Sequence, residues 1–174
     1  MAIVLRAAAP ADALAVAELH VRSWQAAYRG RLPDAYLDGL HAQDRAAHYT
    51  FGGSDPRRPA TVIAVDDETG AGIICGFATT GPARDADSLG LGELMALNVE
   101  PAWWRRGVGT LLIRDARARL GAHGFQEAVL WMMEGNQRAA RFYDADGWLP
   151  DGERRTEIVW GVSVDEVRWR RAIV

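Results

Sequence analysis

Arg105, Arg106, Gly107 and Gly109 stand together in the run Val99-Glu100-Pro101-Ala102-Trp103-Trp104-Arg105-Arg106-Gly107-Val108-Gly109-Thr110-Leu111-Leu112, and residues of these types at this spacing suit the binding of phosphate. An apolar stretch that reads as a strand, Leu94-Met95-Ala96-Leu97-Asn98-Val99, leads into the run, and an apolar-periodic stretch that reads as a helix leaves it. The first turn of a helix carries backbone N–H groups without intrahelical partners, and the positive end of the helix dipole adds to their attraction for anions. Glycine has no Cβ, so the backbone at 107 and 109 can approach a bulky pyrophosphate and adopt positive φ. Arg105 and Arg106 add forked cationic donors that match phosphate oxygens. The run points to a phosphorylated cofactor.

Spacing alone leaves other readings open. A P-loop requires Gly-Lys-Ser/Thr, and the chain contains no lysine. A dinucleotide fingerprint requires a third glycine where Leu112 stands, and a tighter turn after the strand than Pro101 to Arg106 would make. A helix N-terminus whose glycines only ease close packing is the remaining alternative.

The elements that must position this turn follow from periodicity and breakers. Ile3 to Ala7 reads as a strand, and Pro10 and Asp12 start a long helix with Leu14, Ala17, Val21, Trp24 and Tyr28 along one face, stopped by Gly30. Short helices follow over Leu32 to Leu40 and Ala42 to Phe51, then a breaker-rich loop from Gly52 to Pro59. Strands over Ala60 to Asp66 and Gly72 to Thr80, joined through Asp67-Glu68-Thr69-Gly70, suggest an antiparallel hairpin. A loop from Pro82 to Gly90 precedes the strand that carries Glu93. Val108, Leu112, Ala116 and Leu120 form the apolar edge of the next helix, with Arg114, Arg117 and Arg119 in solvent. Glu127 to Met133 reads as a strand covered on both faces, and Asn136 caps a helix ended by Gly147. Val159 and Val164 to Ile173 close the chain as strands. The order β-α-α-β-β-β-α-β-α-β-β predicts an α/β or α+β fold around a mixed sheet with one parallel strand–helix–strand crossover.

Composition narrows the function classes. At 174 residues the chain suits one domain spanning 1–174, and 49% hydrophobic with 25% charged residues is ordinary for a globular protein. A net charge of -3 argues against nucleic acid as a partner and fits a cationic small substrate better. No apolar run is long enough to span a bilayer, and the first residues lack the pattern of a signal peptide, so no membrane association and cytoplasmic residence are expected. Cys75, the only cysteine, lies in a buried-strand pattern and reads as core filler. His20, His41, His48 and His123 show no metal-ligand spacing, so no metal is expected.

Three segments together resemble the GNAT superfamily of N-acetyltransferases. Leu97-Asn98-Val99 through Gly107-Val108-Gly109 is similar to that family's Gln/Arg-x-x-Gly-x-Gly/Ala pyrophosphate loop. Asn136-Gln137-Arg138-Ala139-Ala140-Arg141-Phe142-Tyr143-Asp144-Ala145-Asp146-Gly147-Trp148 resembles its Asn-x-x-Ala-x-x-Phe-Tyr-x-x-x-Gly-Phe pattern, with Trp148 in the last place. His20-Val21-Arg22-Ser23-Trp24-Gln25-Ala26-Ala27-Tyr28-Arg29-Gly30 is typical of one large bacterial branch. The loop departs from the pattern at its start: Trp104 replaces the usual Gln or Arg, and Arg105 the glycine that follows. Backbone donors survive both changes, while the first side-chain contact does not.

The resemblance implies a mixed, mostly antiparallel sheet flanked by helices and direct acetyl transfer from acetyl-CoA to a primary amine of a small molecule or peptide. It implies that the strand through Leu97, Asn98 and Val99 splays from its neighbour and pairs with the pantetheine arm, a splay that Pro101 supports by lacking an N–H. The implied cofactor contacts continue through Arg105, Arg106, Gly107, Val108, Gly109 and Thr110 to Asn136, whose reading as an N-cap is compatible with touching the arm. Tyr143 falls where the family keeps its general acid, against a plain reading as a core tyrosine beside Phe142. Glu93 falls where related enzymes hold a water-activating carboxylate, against a plain reading as a strand-end charge. Trp24, Tyr28 and Tyr36 would line the acceptor side, together with Asp34. A longer acyl-CoA, or a CoA-binding regulatory domain without turnover, are the alternatives, and a homodimer is open as an assembly.

Overall fold

Adjacent side chains on a strand point to opposite faces, and on the central strands both faces are apolar, so helices must cover the sheet from two sides. The computed structural model describes residues 3–53, 55, 57–68 and 72–173. Within it β1 (Ile3–Ala7), β2 (Ala60–Asp66), β3 (Ile73–Pro82), β4 (Gly92–Val99), β5 (Glu127–Met133), β6 (Leu149–Val159) and β7 (Val162–Ala172) form one sheet in the order β1-β2-β3-β4-β5-β7-β6. Every neighbouring strand pair among the described residues is antiparallel except β4 with β5, the strands joined by the crossover helix α4 (Val108–Ala122). The expected mixed sheet and its parallel crossover are therefore present.

Phe77 and Ala78 show the two-sided covering. Phe77 packs with Val16 and Leu19 of α1 (Ala13–Tyr28), whereas Ala78 packs with Leu112, Ile113 and Ala116 of α4. On the α4 side, α5 (Gln137–Ala145) and the fully buried Trp148 extend the cluster. Cys75 is fully buried and donates from Sγ to the Ala64 carbonyl; burial pushes its thiol up to about 11, so it is filler, as expected.

Several boundaries differ from the sequence reading. Leu14 is exposed, and the buried face of α1 is Val16, Ala17, Leu19, His20, Val21, Ser23 and Trp24, which keeps Ala17, Val21 and Trp24 of the expected stripe and adds Val16, Leu19, His20 and Ser23. The short helix after Pro33 is α2 (Asp34–Asp38), and α3 covers only Ala42–Ala46. Tyr49 and Phe51 leave the helix to stack on each other and pack against the α1-side core. The β2–β3 pairing is antiparallel as expected, but Thr69 and Gly70 of its turn lie outside the described residues, as do Ser54 and Pro56 of the preceding loop. Arg114 is solvated, whereas Arg117 pairs with Asp146 at 3.0 Å and Arg119 with Asp115 at 2.6 Å. The largest difference is β6, eleven residues long where only its end around Val159 reads as strand. Its residues are mostly exposed, so no apolar alternation marks it; a two-residue turn holds it to β7. That turn, Trp160 at φ 53 and Gly161 at φ 80, has both centres in the left-handed region, as tight hairpins require.

Candidate active site

β4 and β5 keep a parallel register only at Gly92 with Ala128 and Glu93 with Val129. One step further, the ladder to β3 passes from Thr80–Leu94 to Thr79–Ala96, which leaves Met95 as an extra residue in β4. Such a bulge bends its strand and increases its twist. β4 therefore parts from β5, and the edge of Leu97, Asn98 and Val99 that would have met β5 is free of a strand partner. The gap is a cleft of about 430 Å³ that runs from the start of α4, between β4 and α5, to the β6–β7 turn. Asn98 is fixed from the α1 side by Ser23, whose hydroxyl donates to Asn98 Oδ1 at 3.1 Å.

A short 3-10 turn, Pro101–Trp103, follows β4. Trp104 then turns its indole back and donates from Nε1 to the Val99 carbonyl at 2.8 Å, closing the tip of the strand. Arg105 at φ 63 and Gly107 at φ 85 reverse the chain into α4. Gly107 is the N-cap and no side chain caps the helix, so the N–H groups of Val108, Gly109 and Thr110 have no described partner. Arg105, Gly107, Gly109 and Thr110 line the cleft. Two expected contacts point elsewhere. Val108 is fully buried in the α4 core, so only its backbone can serve the site, and Arg106 lies over the Trp103 ring at 5.2 Å outside the cleft lining. A Cβ on Gly109 would meet Phe142 of α5 at 3.3 Å, so this glycine lets α5 approach as well as freeing backbone.

Arg138 was not singled out from sequence, because it occupies a free position of the Asn-x-x-Ala pattern. Its guanidinium sits 3.4 Å from the Trp104 ring centroid and lines the cleft, with no carboxylate within ion-pair distance among the described residues. Trp104, which removed a polar side chain from the loop, thus gives a cation from α5 a flat surface to rest on.

Asn136 is buried and caps α5 by accepting from the Ala139 N–H at 3.2 Å. About two turns later Tyr143 faces into the cleft, its ring against Phe142 and Trp148. Its hydroxyl has no hydrogen-bond partner among the described residues. Burial, reinforced by the neighbouring Tyr28 phenol, raises its pKa above that of an ordinary phenol, so the proton stays on at neutral pH. Tyr28 reaches the same spot from α1: burial raises its pKa first, and the Asn136 side chain, Glu166, Arg138 and Arg31 act on it in turn.

Glu93 is placed differently from the expectation. Its side chain is 1% exposed and accepts three hydrogen bonds from Arg84, at 2.6 Å and 3.2 Å from the guanidinium and 3.1 Å from the backbone N–H. It does not line the cleft. The carboxylate that does is Glu166 of β7, held through Arg155 at 2.8 Å; Arg155 also bonds Asp85 and lies 4.1 Å from the Trp131 ring centroid. A β7 carboxylate could not be placed from sequence because only pairing of β7 with β5 brings it to the gap.

The far end of the cleft is aromatic. Trp24 lies edge-on to Tyr28 and Trp160 at 5.0 and 5.3 Å, and His20 contacts Trp24, Trp160 and Phe77. Trp24 and Tyr28 line the cleft, whereas Tyr36 lies behind the wall and donates its hydroxyl to the Trp160 carbonyl at 2.8 Å. Asp34 is exposed and pairs with Arg29. His20 meets the Tyr49 hydroxyl through Nδ1 at 2.8 Å; burial, then the charge of Arg45, push its pKa down to about 3, so it is neutral. No group of His, Cys, Asp and Glu among the described residues could hold a metal.

A splayed parallel strand pair, a donor-rich turn at the mouth of the gap and a phenol on its opposite wall define an acetyltransferase-type α/β fold. The model of the acetyltransferase (GNAT) family matches residues 14–148, and the chain belongs to that family. It is 30% identical over 165 residues to the uncharacterized N-acetyltransferase YuaI of Bacillus subtilis, covering 95% of this chain and 90% of that one. Its fold is similar to that of the PaiA N-acetyltransferase from Thermoplasma acidophilum in complex with coenzyme A (TM-score 0.69, 17% identity, 99% of each chain). It is also similar to YncA from Salmonella typhimurium with its cofactor acetyl-CoA (TM-score 0.70, 17% identity, 100% of this chain and 95% of that one).

Proposed function

We propose that the protein transfers an acetyl group from acetyl-CoA directly to a primary amine of a small molecule or peptide. The observation that carries this reading is the conjunction of the unpartnered β4 edge and α4 N–H groups with the protonated, unbonded Tyr143 hydroxyl across the same cleft. The first-turn N–H groups of α4 and Arg105 would hold the pyrophosphate, with Arg138 on Trp104 supplying the cation that the loop lacks. Leu97 to Val99 would pair with the pantetheine arm as a strand would, and Asn136 would touch it from α5. When bound there, acetyl-CoA supplies an activated thioester carbonyl.

Only a neutral amine attacks such a carbonyl. As the new C–N bond forms and the C–S bond breaks, Tyr143 gives its phenolic proton to the departing sulfur, and the proton leaving the amine passes to Glu166. Glu166 takes this part from Glu93, whose lone pairs are engaged by Arg84 outside the cleft.

Thiol release from acetyl-CoA across a panel of amines tests the activity. Acetyl-CoA should raise the melting temperature, and at least one amine should be acetylated. Tight acetyl-CoA binding with no turnover on any amine would favour a regulatory CoA-binding protein. For the two carboxylates, Glu166→Gln should lower kcat with a deficit that shrinks at high pH, where more amine is already neutral. Glu93→Gln should chiefly lower stability. The opposite pattern would return the proton acceptor to Glu93.

A further inference from the structure

Arg45 is a cation that the acetyl-transfer chemistry does not use. It comes from α3, far in sequence from every motif of the site, and it lines the aromatic end of the cleft. No Asp or Glu lies within 4.0 Å of its guanidinium among the described residues, and its Nε is buried without a hydrogen-bond partner. The neighbours that surround it are rings: Trp160 with its centroid at 5.1 Å and Tyr49 at 5.5 Å, with neutral His20 behind. The Tyr49 hydroxyl is a neutral hydrogen-bonding neighbour of the guanidinium, whose charge also acts on the Tyr36 phenol and on His20.

A guanidinium cannot shed its charge, and a buried donor left without an acceptor costs about 1–3 kcal/mol. Aromatic faces offset part of this, but they accept no in-plane hydrogen bond from Nε. The missing partner is an acceptor with negative charge that enters the cleft. Toward the other end, Trp160 leads to Trp24 and Trp24 to Tyr28, each about one ring contact further, and there Glu166 faces the cleft. One end thus presents an unpaired cation and the other a carboxylate, separated by apolar rings.

We infer that Arg45 is the seat for an oxyanion of the acceptor, so that the substrate is an extended amine carrying a carboxylate or phosphonate several bonds from its nitrogen. The inference rests on the acetyl-transfer reading for the identity of the amine end. The rings between would hold an alkyl or aromatic spacer, and the acceptor would lie with its amine toward Tyr28, Tyr143 and Glu166.

Initial rates with acetyl-CoA should be measured for glycine, β-alanine, 4-aminobutyrate, 5-aminopentanoate and 6-aminohexanoate. Each is paired with the n-alkylamine and the diamine of the same length, and aminoalkylphosphonates form a further arm. The oxyanion-bearing amines should exceed the matched alkylamines in kcat/KM by about tenfold or more, the worth of a charge-assisted hydrogen bond, with an optimum at one of the longer spacers. The carboxylate and phosphonate arms distinguish the two oxyanions. Arg45→Gln should bring the preference to within about twofold through KM, and Arg45→Lys should keep part of it. Alkylamines or diamines that do as well as the amino acids, or an Arg45→Gln change equal for both, would overturn the inference. If no amine is acetylated, calorimetry of 6-aminohexanoate decides: no heat of binding with or without CoA overturns it. Failure of acetyl-CoA to bind would instead sink the underlying reading, and amino-acid binding lost in Arg45→Gln would still uphold the oxyanion seat.

Discussion

The two halves of the cleft are made of different material. The proposed cofactor half is built largely from backbone: the edge of Leu97 to Val99 without a strand partner, the N–H groups at the start of α4, and glycines that let both come close, with Arg105, Arg138 and Asn136 adding side chains. The proposed acceptor half is side chain: His20, Trp24 and Tyr28 from α1, Arg45 from α3, and Trp160 and Glu166 from the β6–β7 hairpin. A backbone site can tolerate many side-chain changes, provided that the chain path is kept, and here Trp104 and Arg105 occupy the loop while the turn into α4 is formed. A side-chain site changes its ligand with a few substitutions. One chain can therefore keep a cofactor site common to a family while presenting its own acceptor site.

The sharpest way to break the comparison is Gly109→Val. Its side chain would collide with Phe142 and crowd the first turn of α4, and overpacking of this kind costs about 1–3 kcal/mol of stability. The expected outcome is loss of the acetyl-CoA-induced rise in melting temperature in a protein that still folds. A variant that bound acetyl-CoA like the parent would show that the turn is not the phosphate seat. Gly107→Val should act through backbone strain instead, since nothing lies within 4 Å of its Cβ direction while its φ is 85°.

Tyr143→Phe comes next in size and probes the point where the halves meet. The ring keeps its packing on Phe142 and Trp148, so stability and acetyl-CoA affinity should hardly move. Removing the proton donor should lower kcat on the order of a hundredfold, read by thiol release under saturating substrates. Full turnover would remove Tyr143 from the chemistry.

The same division explains what sequence could tell. The turn at Gly107 and Gly109, the Asn136 cap, the β4–α4–β5 crossover and the phenol of Tyr143 all lie within about fifty residues, where motif spacing translates directly into geometry. Helical periodicity marks Trp24 and Tyr28 as part of one apolar face, and only the resemblance to the family turns that face toward an acceptor. Glu166, Trp160 and Arg45 were not visible, since each reaches the cleft through pairing or packing between segments far apart in the chain. β6 in particular is polar and exposed along its length, and only its turn carries a functional ring. Glu93 stands on β4 as expected, but Arg84, from the loop before β4, engages its carboxylate, a pairing that no motif spacing shows.

Trp160→Asn tests the acceptor half alone. Asparagine tolerates the left-handed backbone at this position, so the hairpin turn should persist while the ring against Trp24, His20 and Arg45 is lost. A lost aromatic contact is worth about 0.5–1.5 kcal/mol, which sets an expected rise of about two- to tenfold in KM for the amine. Acetyl-CoA binding, measured by calorimetry, should stay at the parental value. An equal loss in both would mean that the halves are not separable.

A further expected effect concerns pH and bears on folding rather than on turnover, again at the aromatic end of the cleft. His20 is buried, neutral and bonded to Tyr49, with a pKa of about 3 against an ordinary 6.5, lowered first by burial and then by Arg45. Once unfolded, the same imidazole takes up a proton as the pH falls through 6.5. Between pH 6.5 and 3 the unfolded chain therefore binds a proton that the folded protein refuses, and each pH unit of acidification removes up to about 1.4 kcal/mol of stability. Above pH 6.5 the group contributes no slope. His20→Gln keeps a polar partner for the Tyr49 hydroxyl but cannot titrate. Urea unfolding at pH 7.5 and pH 5 should then show the parent losing about 2 kcal/mol more than the variant between the two conditions. Parallel losses would mean that His20 takes up its proton in the folded state, and that the aromatic end of the cleft is wetter than its packing implies.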